Sequence, residues 1–241
     1  MCDLKSMRWP FCWLNRFVNG WWFAAVLLLL LFRPTAYAQT SQYLPEIDTY
    51  ISLEPDARFA FQAKETREDG IPTQAEIGPS MEFYWRPLKG LVPNGVDEAK
   101  TRFILLSFGY RYLPASNAPE TNRILLVAAP RFPLTSKLVI SDRNRGELNF
   151  SNGALTWRYR NRLQLEREIT IRHYHPTPYT NIEVYYDSMF GKWSTTAIQG
   201  GSQFPFPRHY EILVYYEHQN NTGTPHNQQV NALGTILNLH F

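Results

Sequence analysis

The chain has 241 residues, of which 24 are lysine or arginine and 21 are aspartate or glutamate. This length suits a single domain. The surplus of positive charge lies entirely within residues 1–38, so the remainder is neutral and its composition gives no argument for a nucleic-acid partner. No phosphate-binding loop, dinucleotide-binding glycine pattern or HExxH zinc motif occurs, which argues against those enzyme classes.

Residues 1–38 predict export from the cell. Three basic residues precede the apolar run 23–32, and the small residues Ala36 and Ala38 form an A-x-A cleavage site. This pattern is typical of a secretory signal peptide, so we expect cleavage after Ala38 and a mature domain over 39–241. The alternative is an uncleaved membrane anchor, although the apolar run is about half of the ~20 residues that a spanning helix needs.

Both cysteines, Cys2 and Cys12, lie in the segment that we expect to be removed. The mature domain then has neither a disulfide nor a thiolate metal site, and we predict no cofactor and no metal. His173 and His175 share one side of a strand, which is a spacing that metals can use. Two ligands beside Pro176 indicate an exposed strand end instead.

The mature domain is predicted to be all-β. Short runs rich in aromatic and β-branched residues alternate with Pro, Gly, Asn and Ser. The candidate strands are 46–54, 57–67, 77–87, 101–113, 121–132, 137–149, 154–170, 179–188, 193–199, 208–219 and 229–241. Turn signals between them include 54–56, 68–70, 93–95, 151–153 and Gly200-Gly201.

Several of these strands alternate between an apolar and a polar face. The apolar face of 154–168 carries Leu155, Trp157, Tyr159, Leu163 and Leu165. A soluble β-sandwich would turn such a face inward, whereas a membrane barrel would turn it to lipid and the polar face to the lumen. Many runs have about the 9–11 residues that a strand needs to cross a bilayer, which favours the barrel.

The last strand also favours a barrel. Leu233, Thr235, Leu237, Leu239 and the terminal Phe241 share one face. A terminal Phe preceded by apolar residues at every second position resembles the recognition signal of bacterial outer-membrane barrels. The resemblance implies an antiparallel transmembrane β-barrel in the bacterial outer membrane. Its partners would be outer-membrane lipid and, through this strand, the barrel assembly machinery.

The strand number is expected to be 10 to 12, and 12 is preferred. Eleven runs are visible, but bacterial single-chain barrels have an even number of strands. One strand would then be missed or divided, with 46–54 and 87–100 as the weakest parts of the assignment.

The candidate site is a polar ladder on two neighbouring strands. If the chain turns at 151–153, these strands pair antiparallel and their arginines and glutamates meet in the lumen. The ladder comprises Arg143, Arg145, Glu147, Arg158, Arg160, Arg162 and Glu166. It is interpreted either as salt bridges that fill the lumen or as an anion-selective constriction or a site for a lipid phosphate or acidic sugar.

The two runs that carry this ladder have a resemblance of their own. Residues 142–148, read as DRNRGEL, are followed by 157–163, read as WRYRNRL. Together they resemble an uncharacterised bacterial family of outer-membrane barrels, a domain of unknown function whose strands carry Arg-x-Arg pairs. The resemblance implies a fold and a location but no activity.

The segment 149–153 is similar to the His-x-Ser-Asn-Gly segment of outer-membrane phospholipase A. Asn149 stands in the histidine position, and asparagine cannot act as the base that Ser151 would need. His173 or His175 could take that role from a neighbouring strand. Three hypotheses therefore stand: a non-enzymatic outer-membrane barrel with a structural, transport or binding role, a barrel enzyme acting on outer-membrane lipid, and a soluble periplasmic β-sandwich that binds a ligand.

Overall fold

A computed structural model describes residues 39–86, 104–135, 137–207, 209–223 and 227–241. The predicted signal peptide and the candidate turn at 93–95 lie outside these ranges. No helix in the described ranges has the length and apolar character for crossing a membrane. The strands are β1 (Gln39–Glu54), β2 (Ala57–Glu68), β3 (Ile71–Trp85), β4 (Ile104–Leu113), β5 (Thr121–Pro133), β6 (Leu138–Ser151), β7 (Ala154–Arg167), β8 (Thr177–Asp187), β9 (Lys192–Phe206), β10 (Tyr210–Asn221) and β11 (Gln228–His240).

The strands form one closed barrel. Each strand pairs with the next strand along the chain, and β1 pairs with β11 to close the barrel. All these pairs are antiparallel except one: β1 and β11 run parallel, from Gln39 opposite Gln229 to Tyr50 opposite His240. The prediction of a closed β-barrel is confirmed, and the two-sheet sandwich is wrong.

The preferred count of twelve strands is a further error, because the described residues close the barrel with eleven. The expectation of an even number assumed antiparallel pairing all round. A parallel seam removes that requirement, since the first and last strands then run in the same direction. The start of β1 and the end of β11 consequently lie at opposite ends of the barrel.

Each predicted run overlaps a strand, but β1 begins at Gln39 rather than 46, β3 begins at Ile71 rather than 77, and β9 continues to Phe206 rather than ending at 199. Gly200-Gly201 was expected to be a turn but lies inside β9, opposite Tyr216 and Tyr215 of β10. A Cβ atom on Gly201 would come within 2.7 Å of the Tyr215 Cβ, so this glycine provides space rather than a turn. The turn at Asn152 and Gly153 is confirmed, and both residues have the positive φ angles of a tight hairpin.

The barrel is polar inside and apolar outside. On β7, Leu155 and Leu163 are 62% and 54% exposed on the outer surface. Inside, Glu147 and Glu183 are each only 1% exposed. The alternation predicted for this strand is confirmed, and the direction of its apolar face is outward.

The interior also contains one apolar cluster, which we call the aromatic cluster. It consists of Leu44, Tyr179, Tyr215 and Ala232, with Leu213 and Ile236 packed against it. The ring of Tyr215 lies against Gly234, leaving no room there for a Cβ atom. Rings and aliphatic groups therefore close part of the lumen near β10 and β11, and most of the buried charged residues lie on the other side.

Candidate functional site

The hairpin of β6 and β7 brings the predicted ladder together, but its register differs from a simple salt-bridge ladder. The strands pair antiparallel, as predicted. Arg143 lies opposite Arg162 and Arg145 lies opposite Arg160, whereas only Glu147 faces an arginine, Arg158. Like charges directly opposite one another are destabilising, so two of the three pairs need carboxylates from elsewhere.

Glu183 on β8 supplies the first of these carboxylates. Arg160 donates to both of its oxygens, from Nε and Nη2, at 3.0 Å each. Arg162 donates from Nη2 at 2.6 Å, and Arg143 donates from Nη2 at 3.2 Å. One buried carboxylate thus binds three guanidinium groups, and the forked geometry of arginine makes these charge-assisted hydrogen bonds strong.

Glu147, the buried carboxylate of β6, is also shared. Arg145 Nε lies 2.7 Å from its Oε1, and Arg160 Nη1 lies 3.4 Å from the same oxygen. Arg123 Nε on β5 is 3.5 Å from Oε2, and Arg158 Nη1 is 4.0 Å from it. Arg160 therefore connects Glu147 to Glu183.

Glu76 on β3 also joins the network, although β4 and β5 lie between β3 and β6. Its Oε2 lies 3.3 Å from Arg123 Nη1, and its Oε1 lies 3.4 Å from Arg145 Nη2. Arg111 Nε on β4 is 3.9 Å from the same Oε1. The network thus links the insides of β3 to β8.

These connected side chains are called the arginine cluster below. Its arginines are Arg111, Arg123, Arg143, Arg145, Arg158, Arg160 and Arg162, and its carboxylates are Glu76, Glu147, Glu183 and Asp187, which binds Arg158 at 2.9 Å. Each arginine lies within 4.0 Å of at least one carboxylate, but seven arginines share four carboxylates, so the cluster has a surplus of three positive charges. Of the predicted ladder, only Glu166 lies apart, bound to Arg131.

The arginine cluster borders a cavity of about 490 Å³ in the lumen. Arg143, Arg145, Arg160 and Arg162 line it on the side of β6 and β7, and the carboxylates Glu46, Asp48 and Glu217 line it from β1 and β10. The Nε atom of Arg143 is buried and has no hydrogen-bond partner, whereas Arg145 Nε already lies 2.7 Å from Glu147 Oε1. A donor such as Arg143 Nε beside a cavity fits an oxygen atom of a small anion.

The serine of the phospholipase-like segment has no catalytic surroundings. Ser151 lies at the β6–β7 turn, and its Oγ donates to the carbonyl oxygen of Glu120 at 3.0 Å. His173 and His175 lie between β7 and β8, at the opposite end of the barrel. The expectation that either histidine could act as a base for Ser151 is therefore wrong.

Two arginines, two glutamates and Asp187 of the cluster were missed by the sequence prediction. Glu183 could have been found, because Tyr179, Asn181, Glu183 and Tyr185 alternate in one candidate strand. Glu76, Arg111 and Arg123 carried no comparable signal, since their part in the network depends on which strands face one another.

In the described ranges, no group of three or more His, Cys, Asp or Glu residues could hold a metal ion. No family model, no curated protein and no solved structure matches this chain. The resemblance to an uncharacterised barrel family stays a prediction.

Proposed function

We propose that this chain is a bacterial outer-membrane β-barrel that admits or binds small anionic solutes in its lumen. The role is transport or binding rather than catalysis, and the segment 1–38 acts as the export signal. The exposure of apolar side chains on the outside supports the location: Leu155 and Leu163 of β7 and Ile182 of β8 are each more than half exposed. Such a surface suits lipid and not water.

The observation that carries the anion proposal is the arginine-rich wall of the cavity, which faces Glu46, Asp48 and Glu217 across the lumen. A purely structural ladder would balance its charges locally, because an unpaired charge in a poorly hydrated interior is expensive. Here the arginines of the cluster outnumber its carboxylates, and Arg143 keeps a buried Nε donor unused. An oxyanion such as a carboxylate or a phosphate at this wall would compensate the positive charge and accept from this donor.

The terminal residue supports the proposed route of assembly. Phe241 is 71% exposed, and its backbone N–H donates to the carbonyl oxygen of Tyr50 at 2.8 Å. The end of the chain is thus fixed at the barrel rim with its ring accessible. We propose that the assembly machinery recognises this ring and the apolar positions before it.

Location is tested by membrane fractionation and gel migration before and after heating. An outer-membrane barrel should appear in the outer-membrane fraction and migrate differently once boiled. Recovery of the folded protein in the soluble periplasmic fraction would contradict the proposed membrane location.

Selectivity is tested by the reversal potential across a planar bilayer with a KCl gradient. We expect the double variant Arg143→Gln/Arg162→Gln to lower the anion-to-cation permeability ratio several-fold, because it removes two positive charges from the cavity wall. Arg67→Gln is the control, since Arg67 is paired with Glu65 on the outer surface. If wild-type and variant barrels give the same ratio, or if the barrel neither conducts nor binds inorganic phosphate, the anion proposal fails.

A further inference from the structure

The outer surface of β6 and β7 carries a polar patch where the rest of both strands is apolar. It consists of Asp142, Asn144 and Asn161 and is called the amide patch below. Asn144 and Asn161 lie directly opposite one another near the middle of their strands. Leu148 on one side and Leu163 on the other are exposed along the same surface. The amide patch therefore lies within the apolar band and not at its edge.

The members of the amide patch bind one another. Asn161 Nδ2 donates to Asp142 Oδ1 at 2.6 Å and to Asn144 Oδ1 at 3.1 Å, and Asn144 Nδ2 donates to Asp142 Oδ2 at 3.2 Å. The hydroxyl of Tyr159 also donates to Asn144. Across the described strands and loops, no basic side chain forms an ion pair with Asp142. This carboxylate is thus bound by amides alone.

An outer groove of about 360 Å³ adjoins the amide patch. Its lining includes the small residues Ala128 and Gly146 and the large side chain of Phe108. Asn144 of the amide patch lines the groove, and so does Tyr159, whose hydroxyl binds Asn144. The polar groups and the groove therefore form one continuous surface.

We infer that the amide patch and the adjoining groove are the interface with a second copy of this chain in the membrane. The inference rests on the proposed membrane location. In hydrocarbon, polar side chains are costly unless they pair with other polar groups, and a carboxylate is the costliest. The asparagines of the patch bind Asp142 but carry no positive charge, and lipid chains offer no further donors, so we expect a protein surface to cover the patch.

A second copy meets the requirements of the patch for two reasons. Copies that insert in the same orientation carry their patches at the same depth, so a two-fold axis along the membrane normal brings patch against patch. Asparagine has both donors and an acceptor, so the amides of one copy can bind Asp142 and the asparagines of the other. The groove supplies room for side chains of the second copy.

The test is disulfide cross-linking in isolated membranes. Full-length chains with Cys2→Ser and Cys12→Ser provide a background without thiols. Leu163→Cys places a thiol beside the amide patch, and Ile47→Cys places one on β1, across the barrel at a similarly exposed position. We expect the first variant to give at least tenfold more cross-linked dimer than the second. Equal cross-linking, or a product with the mass of a different protein, would overturn the inference.

A second variant separates assembly from folding. Asp142→Leu/Asn161→Leu, made in the Leu163→Cys background, should abolish the dimer while leaving heat-modifiable migration intact, because apolar groups on this surface suit lipid. Thr235→Leu on β11 is the matched outer-surface control and should leave the dimer unchanged. A dimer that survives the double substitution contradicts the inference. A wild-type barrel that is monomeric in the membrane overturns this inference alone, whereas a soluble protein overturns the proposed function.

Discussion

The two sides of the lumen are built by different means. On the β6–β8 side, Glu183 binds the guanidinium groups of Arg143, Arg160 and Arg162. On the β10–β11 side, the ring of Tyr215 lies against the backbone of Gly234 and belongs to the aromatic cluster. The stability of the first side depends on ion pairs between arginines and shared carboxylates. The stability of the second side depends on the space that a glycine leaves for a tyrosine ring.

This difference determines how each side should respond to substitution. Loss of one of the three glutamates leaves several buried arginines without full compensation, because each of these glutamates serves more than one arginine. The aromatic cluster contains no charged side chain. It should instead be destabilised by added volume, because an added methyl group would overlap its neighbours. Substitutions that remove a charge should therefore destabilise the charged side most, and substitutions that add volume should destabilise the aromatic side most.

The largest effect is expected for Glu183→Gln. The substitution keeps the shape of the side chain but removes the negative charge shared by three arginines. Removal of one partner from a buried ion pair costs about 3–5 kcal/mol. Urea unfolding of the refolded barrel in lipid vesicles measures this cost.

Glu65→Gln is the control for that measurement. Its partner Arg67 is exposed on the outer surface near a strand end, and exposed pairs contribute about 0–1 kcal/mol. If both variants lose the same free energy of unfolding, the arginine cluster is hydrated enough to behave like surface charge, and the contrast between the two sides disappears.

A smaller effect is expected for Gly234→Ala. The new methyl group would collide with the ring of Tyr215, and overpacking of this kind costs about 1–3 kcal/mol. Gly200→Ala is the matched control on a neighbouring part of the barrel, because a Cβ atom there meets nothing within 4 Å. Equal unfolding midpoints for the two variants would show that Tyr215 moves aside freely.

The smallest effect is expected at the rim of the charged side, for Ser151→Ala. Its hydroxyl donates to the carbonyl oxygen of Glu120, and the candidate bases His173 and His175 lie at the opposite end of the barrel. We expect the same background rate of phospholipid hydrolysis from wild type and variant, measured on mixed micelles after refolding. A wild-type rate that the substitution abolishes would revive the lipid-enzyme hypothesis.

The amino-acid sequence by itself determined the strands, the hairpin turn and the two faces of β7. These are local properties: the alternation of residues 154–168 repeats with the period of a strand, and Asn152-Gly153 tolerates the positive φ angles of a tight turn. The same locality explains the error at Gly200-Gly201, where glycine was read as a turn although a tyrosine on the next strand requires its small size.

Only the tertiary structure decided how the barrel closes and which charges meet. The parallel seam between β1 and β11 pairs residues 190 positions apart, and no pattern within either strand specifies its direction. Glu76 reaches Arg145 because β3 and β6 curve around the same lumen. Ion pairing depends on distances in space, and the closure of the barrel sets those distances; the sequence alone could place the arginines on one face but could not supply their partners.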